Sequence, residues 1–286
     1  MDPAKITVII PAYNEEGEIR EVLASVRSVS DRFEVIVVDD GSTDRTAEVA
    51  KSEGARVISH PYNMGNGAAI KTGVRAARGE ILVLLDADNQ HPPEEISRLL
   101  DEMVRYDMVV AARTGRSDES PVRRFGNWCM TRVARYLSEM PIADLTSGFR
   151  AIRRACMEEF LHLLPNRYSY PTTITLCMFR SGYGVKYVPL ARARRRVRGR
   201  SHIQPIRDGL RFLIIILRMI MLFDPLKIFL PLSLGLIGVS LVLLGYHLVI
   251  FSRVKESFVV VAVIGCMTFL VGLLADQIAL LRRERR

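Results

Sequence analysis

Cysteine is scarce in this chain, and no two cysteines are spaced as a metal or redox pair. The 286 residues include four, Cys129, Cys156, Cys177 and Cys266, with no Cys-x-x-Cys among them, which excludes a disulfide scaffold and a cysteine-based zinc site. Histidine is limited to five residues, and His60, His91 and His247 form no metal-binding constellation. There is one tryptophan, and aromatics make up only 7%. The basic residues therefore lack the interleaved aromatics of a nucleic-acid surface, and nucleic acid is not an expected partner. With 49% hydrophobic and 25% charged residues, disordered and collagen-like chains are excluded. No internal repeat or low-complexity stretch is present. Near the N-terminus the apolar run Ile6 to Ile10 is five residues long and ends in Pro11, so no cleavable signal is expected.

What is present is divided unevenly. Residues 1–110 hold 12 Lys+Arg against 20 Asp+Glu, a balance of −8, and residues 111–286 hold 28 against 11, a balance of +17. The basic part adjoins two apolar runs, Leu226 to Phe251 and Phe258 to Leu281. Each exceeds the roughly 20 residues needed to cross a bilayer core. The short linker Ser252 to Ser257 predicts a helical hairpin whose ends return to one side. Arginines flank both outer ends, from Arg194 to Arg200 before the first run and from Arg282 to Arg286 after the second. By the positive-inside rule those ends, and the N-terminal part with them, are expected on the cytosolic face. Between them, Pro205 to Phe223 reads as a Leu/Ile/Met/Phe helix with Arg207, Arg211 and Arg218 within about 40° of one another at 100° per residue. That pattern lies along a membrane surface. The expected organisation is thus a soluble domain over 1–203, an interfacial amphipathic helix over 204–224 and a transmembrane hairpin over 225–286. Two spans could serve as an anchor or could pack with a second copy or a membrane partner.

The first 110 residues alternate short β-branched runs with helix-like stretches. Strands are predicted at Ile6 to Ile10, Val35 to Val38, Val57 to Ser59, Ile81 to Leu85 and Met108 to Ala111. Helices are predicted at Glu16 to Val29, Thr43 to Glu53 (capped by Ser42 or Thr43), Asn66 to Arg78 and Pro93 to Arg105. This order predicts an α/β fold with a mostly parallel, Rossmann-like sheet. Beyond it, helices are expected near Arg124 to Ser138, Ile152 to Leu163 and Pro171 to Gly182, with a strand at Val185 to Val188. Open parallel sheets bind ligands at the carboxyl ends of their strands. Three of those ends are polar: Pro11-Ala12-Tyr13-Asn14-Glu15, Asp39-Asp40-Gly41-Ser42-Thr43-Asp44 and Asp86-Ala87-Asp88-Asn89-Gln90. Two carboxylates at one strand mouth, Asp86 and Asp88, can hold a divalent cation against a diphosphate. An acidic pair after a strand can equally be a turn and helix cap.

Five motifs follow one another along the chain: Val8-Ile9-Ile10-Pro11-Ala12-Tyr13-Asn14-Glu15, Val38-Asp39-Asp40-Gly41-Ser42-Thr43-Asp44, Asn63-Met64-Gly65-Asn66-Gly67, Asp86-Ala87-Asp88 with Gln90-His91-Pro92, and Asp144-Leu145-Thr146-Ser147-Gly148-Phe149-Arg150. From Ile6 to about Ile203 the chain resembles family 2 inverting glycosyltransferases of the GT-A fold, in the branch of dolichyl-phosphate mannose synthases and related polyprenyl-phosphate glycosyltransferases. The resemblance implies a nucleotide-sugar donor (GDP-mannose or a UDP-hexose), a polyprenyl phosphate acceptor and Mg²⁺ or Mn²⁺. It implies that Pro11, Tyr13, Glu15, Val38 and Asp40 hold the nucleoside. Asp86, Ala87 and Asp88 would face ribose, diphosphate and metal, with Gln90 completing the cation site. Arg113 and Arg196 would face the donor phosphates. Arg196 to His202 matches a family pattern Arg-x-x-Gly-x-Ser-Lys, with His202 where the family has Lys, so charge at this position depends on imidazole protonation. Arg123 and Asn127, one helical turn apart, match the acceptor-phosphate positions, and Ser147 lies near the acceptor. The pair Arg123-Arg124 could also face solvent or lipid headgroups.

An acceptor phosphate is already anionic and needs no strong base, so catalysis would rest on positioning and on the charge around the leaving group. Asp144 then reads as a turn residue orienting Ser147 and Arg150. If the acceptor were a lipid hydroxyl, Asp144 would be the candidate base. A third reading is a catalytically inactive nucleotide-binding membrane adaptor. Processive synthases carry Gln-x-x-Arg-Trp, whereas here Gln204-Pro205-Ile206-Arg207 is followed by Asp208.

Overall fold

The structure is a computed structural model that describes residues 2–88, 95–112, 132, 144, 147–167, 170–190, 214, 217, 218, 220–251 and 256–284. Its backbone divides into two compact units, Met1–Phe212 and Leu213–Arg286.

In the first unit, seven strands form one sheet: β1 (Ile6–Ala12), β2 (Glu34–Asp39), β3 (Arg56–Ser59), β4 (Ile81–Leu84), β5 (Met108–Ala112), β6 (Arg150–Arg153) and β7 (Val185–Pro189). Their order is β3-β2-β1-β4-β6-β5-β7. All neighbours are parallel except β6, which runs antiparallel to both β4 and β5. Every residue of β1, β4 and β5 is buried, as expected of strands covered on both faces. Helices α1 (Ile19–Val29), α2 (Thr46–Ser52), α3 (Asn66–Ala76), α4 (Ile96–Glu102), α5 (Arg154–Phe160) and α6 (Tyr170–Arg180) supply the cover. In α1 the buried residues Ile19, Val22, Leu23 and Val26 recur at the i, i+3, i+4, i+7 spacing of one helical face. The buried face of α3 instead mixes the small residues Gly67, Ala68, Ala69 and Gly73 with Ile70 and Val74. It can therefore lie close to β1: a Cβ on Gly73 would stand 2.4 Å from Ile9 Cγ2.

All five N-terminal strands are where the sequence placed them; helix α1 starts at Ile19 rather than Glu16, and two further elements differ. Ile152 and Arg153 belong to β6 rather than to a helix, which starts only at Arg154. A four-residue segment such as Arg150-Ala151-Ile152-Arg153 is too short to distinguish strand from helix by its pattern, and here the slot between β4 and β5 decides: Ile152 pairs with both Leu82 and Met108. Helix α2 starts at Thr46 and not at Thr43. Asp44 provides the turn, its Oδ1 accepting from the Thr46 backbone N–H at 3.0 Å and from the Thr46 hydroxyl. Burial opposes the charge on Asp44, yet these hydrogen bonds, with one from the Glu16 N–H, hold its carboxyl below the usual range. The expected helix over Arg124 to Ser138 lies outside the described residues, apart from Arg132.

In the second unit the backbone is helical at Ile214, Leu217, Arg218 and 220–223; the rest of the expected interfacial helix lies outside the described residues. Ile214, Leu217, Arg218 and Met221 are exposed, and Ile220 and Phe223 are buried. Asp224 follows, its carbonyl accepting from Lys227 N and its carboxylate 3.5 Å from Lys227 Nζ. Then come α7 (Leu226–Phe251) and α8 (Glu256–Glu284). Both are long and apolar enough to cross a membrane, over Leu226–Ile250 and Glu256–Leu281. Their buried residues fall at seven-residue intervals, Ser233, Ser240 and His247 on α7 and Gly265, Gly272 and Ala279 on α8. This is a small-residue seam of the kind that packs helices in lipid. A Cβ on Gly272 would stand 2.5 Å from Phe229 Cβ, and one on Gly265 2.9 Å from Ile237 Cγ1. His247 Nε2 and Ser257 Oγ meet at 3.2 Å near the turn.

Gly272→Leu is expected to lower the thermal midpoint of the detergent-solubilised chain, whereas Gly238→Leu, whose Cβ would enter open space, leaves it unchanged. A thermal scan of the two variants beside the parent checks this.

Candidate active site

Parallel pairing sets Ala12 beside Asp39 and Ala112 beside Pro189, and Leu84 pairs with Arg150 of the reversed strand. The C-terminal ends of β1, β2, β4 and β7 and the N-terminal end of β6 therefore lie along one edge of the sheet. The antiparallel β6 brings Ser147 and Gly148 to the acidic loop: a Cβ on Gly148 would stand 2.5 Å from Asp86 Oδ2.

The first two loops hold each other. Asn14 has φ 55°, a left-handed conformation that Asn tolerates, and its Oδ1 accepts from Thr43 N–H at 2.8 Å while Ser42 Oγ accepts from Asn14 N–H at 3.0 Å. Glu15 N–H donates to Thr46 Oγ1 at 2.9 Å. Ser42 and Thr43 are thus used across the loops, which is why neither caps α2. Pro11, Val38 and Ala87 are buried backbone supports, whereas the Tyr13 ring is 44% exposed at the edge. Gly41 has φ +73°, and any Cβ there would strike the Tyr62 backbone at 2.5 Å.

Asp40 is buried beneath this edge. Its Oδ1 accepts from His60 Nδ1 at 2.7 Å and from Met64 N–H at 3.0 Å, and its Oδ2 from Gly65 N–H at 2.7 Å. The loop it grips is also clamped from the other side. Gly67 N–H donates to Arg167 O and Ala68 N–H to Asn166 O, while Lys71 Nζ reaches Asn166 Oδ1 at 2.8 Å.

Asp86 and Asp88 are partly buried at the mouth of β4. Among the described residues no three His, Cys, Asp or Glu side chains gather as a metal group. The two carboxylates still fit a hard divalent cation that takes its other oxygens from diphosphate and water. Asp144 Oδ1 accepts from Ser147 N–H at 3.2 Å, just ahead of β6. Arg150, expected to be oriented toward the acceptor, is instead wholly buried. Its guanidinium donates to the carbonyls of Ser147 and Pro171 and to Thr175 Oγ1. Burial works against its charge, and nearby Tyr170, Tyr187, Asp144 and Asp86 partly offset this. Tyr170 is buried alongside, its hydroxyl donating to Gly148 O at 3.4 Å and its phenol pKa pushed up by burial and by Asp86. Gln90, Arg113, Arg123, Asn127, Arg196 and His202 lie outside the described residues.

The model of glycosyl transferase family 2 matches residues 7–161, just over half of the chain. The chain belongs to this family. Residues 224–281 match the GtrB C-terminal hairpin. An uncharacterized protein of Methanocaldococcus jannaschii is 31% identical over 196 residues, covering 65% of this chain and 80% of its own. An undecaprenyl-phosphate 4-deoxy-4-formamido-L-arabinose transferase of Pseudomonas paraeruginosa is 37% identical over 167 residues, covering 54% of this chain and 49% of its own. The chain thus spans about half the length of the curated transferases it matches. Among solved structures, glucosyl-3-phosphoglycerate synthase from Mycobacterium tuberculosis, in complex with Mn²⁺ and UDP-glucose, aligns with TM-score 0.60 and 25% identity over 75% of this chain and 78% of that one. The protein is a glycosyltransferase with a GT-A fold and a C-terminal two-helix apolar hairpin.

Two residues escaped the sequence reading. His60 gave no signal beyond its place just after β3, and Gly148 gave none of its approach to Asp86. The close packing under the site predicts that Gly67→Ala, whose Cβ would lie 2.0 Å from Pro165 O, destabilises the fold by about 2 kcal/mol through overpacking. Gly17→Ala, with open space around it, is the neutral comparison in the same denaturant titration.

Proposed function

We propose that this glycosyltransferase moves one sugar from a nucleotide sugar to a polyprenyl phosphate at the cytosolic membrane face, with Mg²⁺ or Mn²⁺. The observation that carries the reading is the joining, in one chain, of an acidic sheet-edge site and a hairpin apolar over nearly its whole surface. An acceptor that is anionic at its head and hydrocarbon along its tail suits both. The curated relatives named as undecaprenyl-phosphate transferases and the neighbour solved with Mn²⁺ and UDP-glucose support it. So does the +17 balance of residues 111–286. The domain limits 1–203, 204–224 and 225–286 are part of the same proposal.

In this reading the exposed Tyr13 ring packs on the donor nucleoside, with Pro11, Glu15, Val38 and Asp40 around it. Asp86, Asp88 and Gln90 hold the cation, which supplies charge neutralisation for the departing diphosphate. Ala87 lies between these carboxylates against the ribose. Arg113, Arg196 and, when protonated, His202 add positive charge on the donor phosphates. Arg123, Asn127 and Ser147 hold the acceptor phosphate. The acceptor oxygen forms the new bond to the anomeric carbon, and the bond to the diphosphate breaks with its electron pair leaving on oxygen, inverting the centre. No proton has to be removed from a phosphate oxygen at neutral pH.

The second reading, a lipid-hydroxyl acceptor such as diacylglycerol or ceramide, requires a base at Asp144. The bond from Ser147 N–H to Asp144 Oδ1 favours an orienting role instead. A catalytically inactive nucleotide-binding adaptor is the third.

The test is transfer of label from UDP- and GDP-sugars to organic-extractable polyprenyl phosphate by the purified full chain in detergent. Asp88→Ala and chelator are each expected to remove more than about 99% of turnover, the scale of a lost electrostatic stabiliser. Asp144→Asn is expected to slow turnover by about tenfold or less. Its complete loss with donor binding intact would favour the hydroxyl acceptor, and no label from any donor would favour the adaptor.

A further inference from the structure

Among the described residues at the sheet edge, the buried His60 is a polar group with no part in the reaction just described. Its side chain is 8% exposed, that of Asp40 5%. The imidazole bridges the carboxylate at one nitrogen and Thr72 Oγ1 at the other, at 2.7 and 2.9 Å. Nδ1–H donates to the carboxylate, and Nε2 meets the Thr72 hydroxyl.

The consequence is a count of acceptors. A carboxylate offers about four lone-pair positions, two on each oxygen. Oδ1 is filled by His60 and Met64, and Oδ2 already takes Gly65 N–H. Among the described residues one position remains, on Oδ2. Resting on the reading that Asp40 holds the nucleoside, we infer that His60 limits Asp40 to a single open acceptor and so sets the base that the site takes, uracil rather than guanine. Uracil presents one N–H between two carbonyls. Guanine presents two adjacent donors, N1–H and N2–H, and the second would be buried without an acceptor, a costly loss. Cytosine offers an unprotonated ring nitrogen at the corresponding place, which a carboxylate oxygen repels.

His60 is thus a specificity-determining positioning residue, and the ratio of two affinities reads it. Isothermal titration of the full chain in detergent with Mn²⁺ would compare UDP, GDP and CDP for the parent, His60→Asn and His60→Leu. The parent is expected to bind UDP about tenfold or more tightly than GDP or CDP. Asn, whose side-chain N–H can replace Nδ1–H, keeps that ratio. Leu frees Oδ1 and brings UDP and GDP within about threefold of each other. Parent binding of GDP as tight as UDP overturns the inference while leaving the donor reading intact. Equal weakening of both nucleotides by Leu, with the ratio kept, reduces His60 to scaffold and also overturns it. If no nucleotide binds the folded parent, the donor reading itself fails and takes the inference with it. Should the leucine variant fail to fold, the parent ratio and the asparagine variant still decide.

Discussion

The guanidinium of Arg150 joins three parts of the catalytic unit that the chain supplies separately. It sits on the reversed strand β6, donates to the Ser147 carbonyl just ahead of that strand, and reaches Pro171 O and Thr175 Oγ1 on α6. Arg150 Nε finds no partner among the described residues, but the bonds from the two terminal nitrogens offset part of the cost of burying the charge and hold the Ser147 segment, β6 and α6 in one arrangement. The position of Gly148 against Asp86 follows from that arrangement. The acidic mouth of β4 is therefore shaped by residues more than sixty positions downstream.

Much of the N-terminal half was legible because its signals are local. β-branched runs separated by amphipathic stretches declare strands and helices, and strand ends rich in Asp, Asn and Ser declare the binding edge. The resemblance carried by the five motifs added the family. What escaped was decided by tertiary pairing. Nothing in Arg150-Ala151-Ile152-Arg153 distinguishes a strand from the first turn of the following helix; the open slot between β4 and β5 does. Ser42 and Thr43 look like helix caps until Asn14, some thirty residues earlier, takes them.

The candidate site was legible as a set of residue types and less so as a division of labour. Asp40 read as a ligand-facing carboxylate, yet three of its hydrogen bonds are to the protein's own loop and to His60. Asp144, which the sequence offered as a base or as a turn residue, accepts from Ser147 N–H. In both cases a carboxylate that a motif presents as chemistry also organises backbone, because an oxygen at a strand end finds unpaired N–H groups close by.

The seam of the hairpin has a mechanical consequence. Because Gly265 and Gly272 let α8 press directly on α7, the two helices share one close-packed face. Apolar spans of 25 and 26 residues measure about 38 Å at 1.5 Å per residue, against a hydrocarbon layer of about 30 Å. The excess length is relieved by leaning, and two helices locked by a common seam lean together and in the same direction.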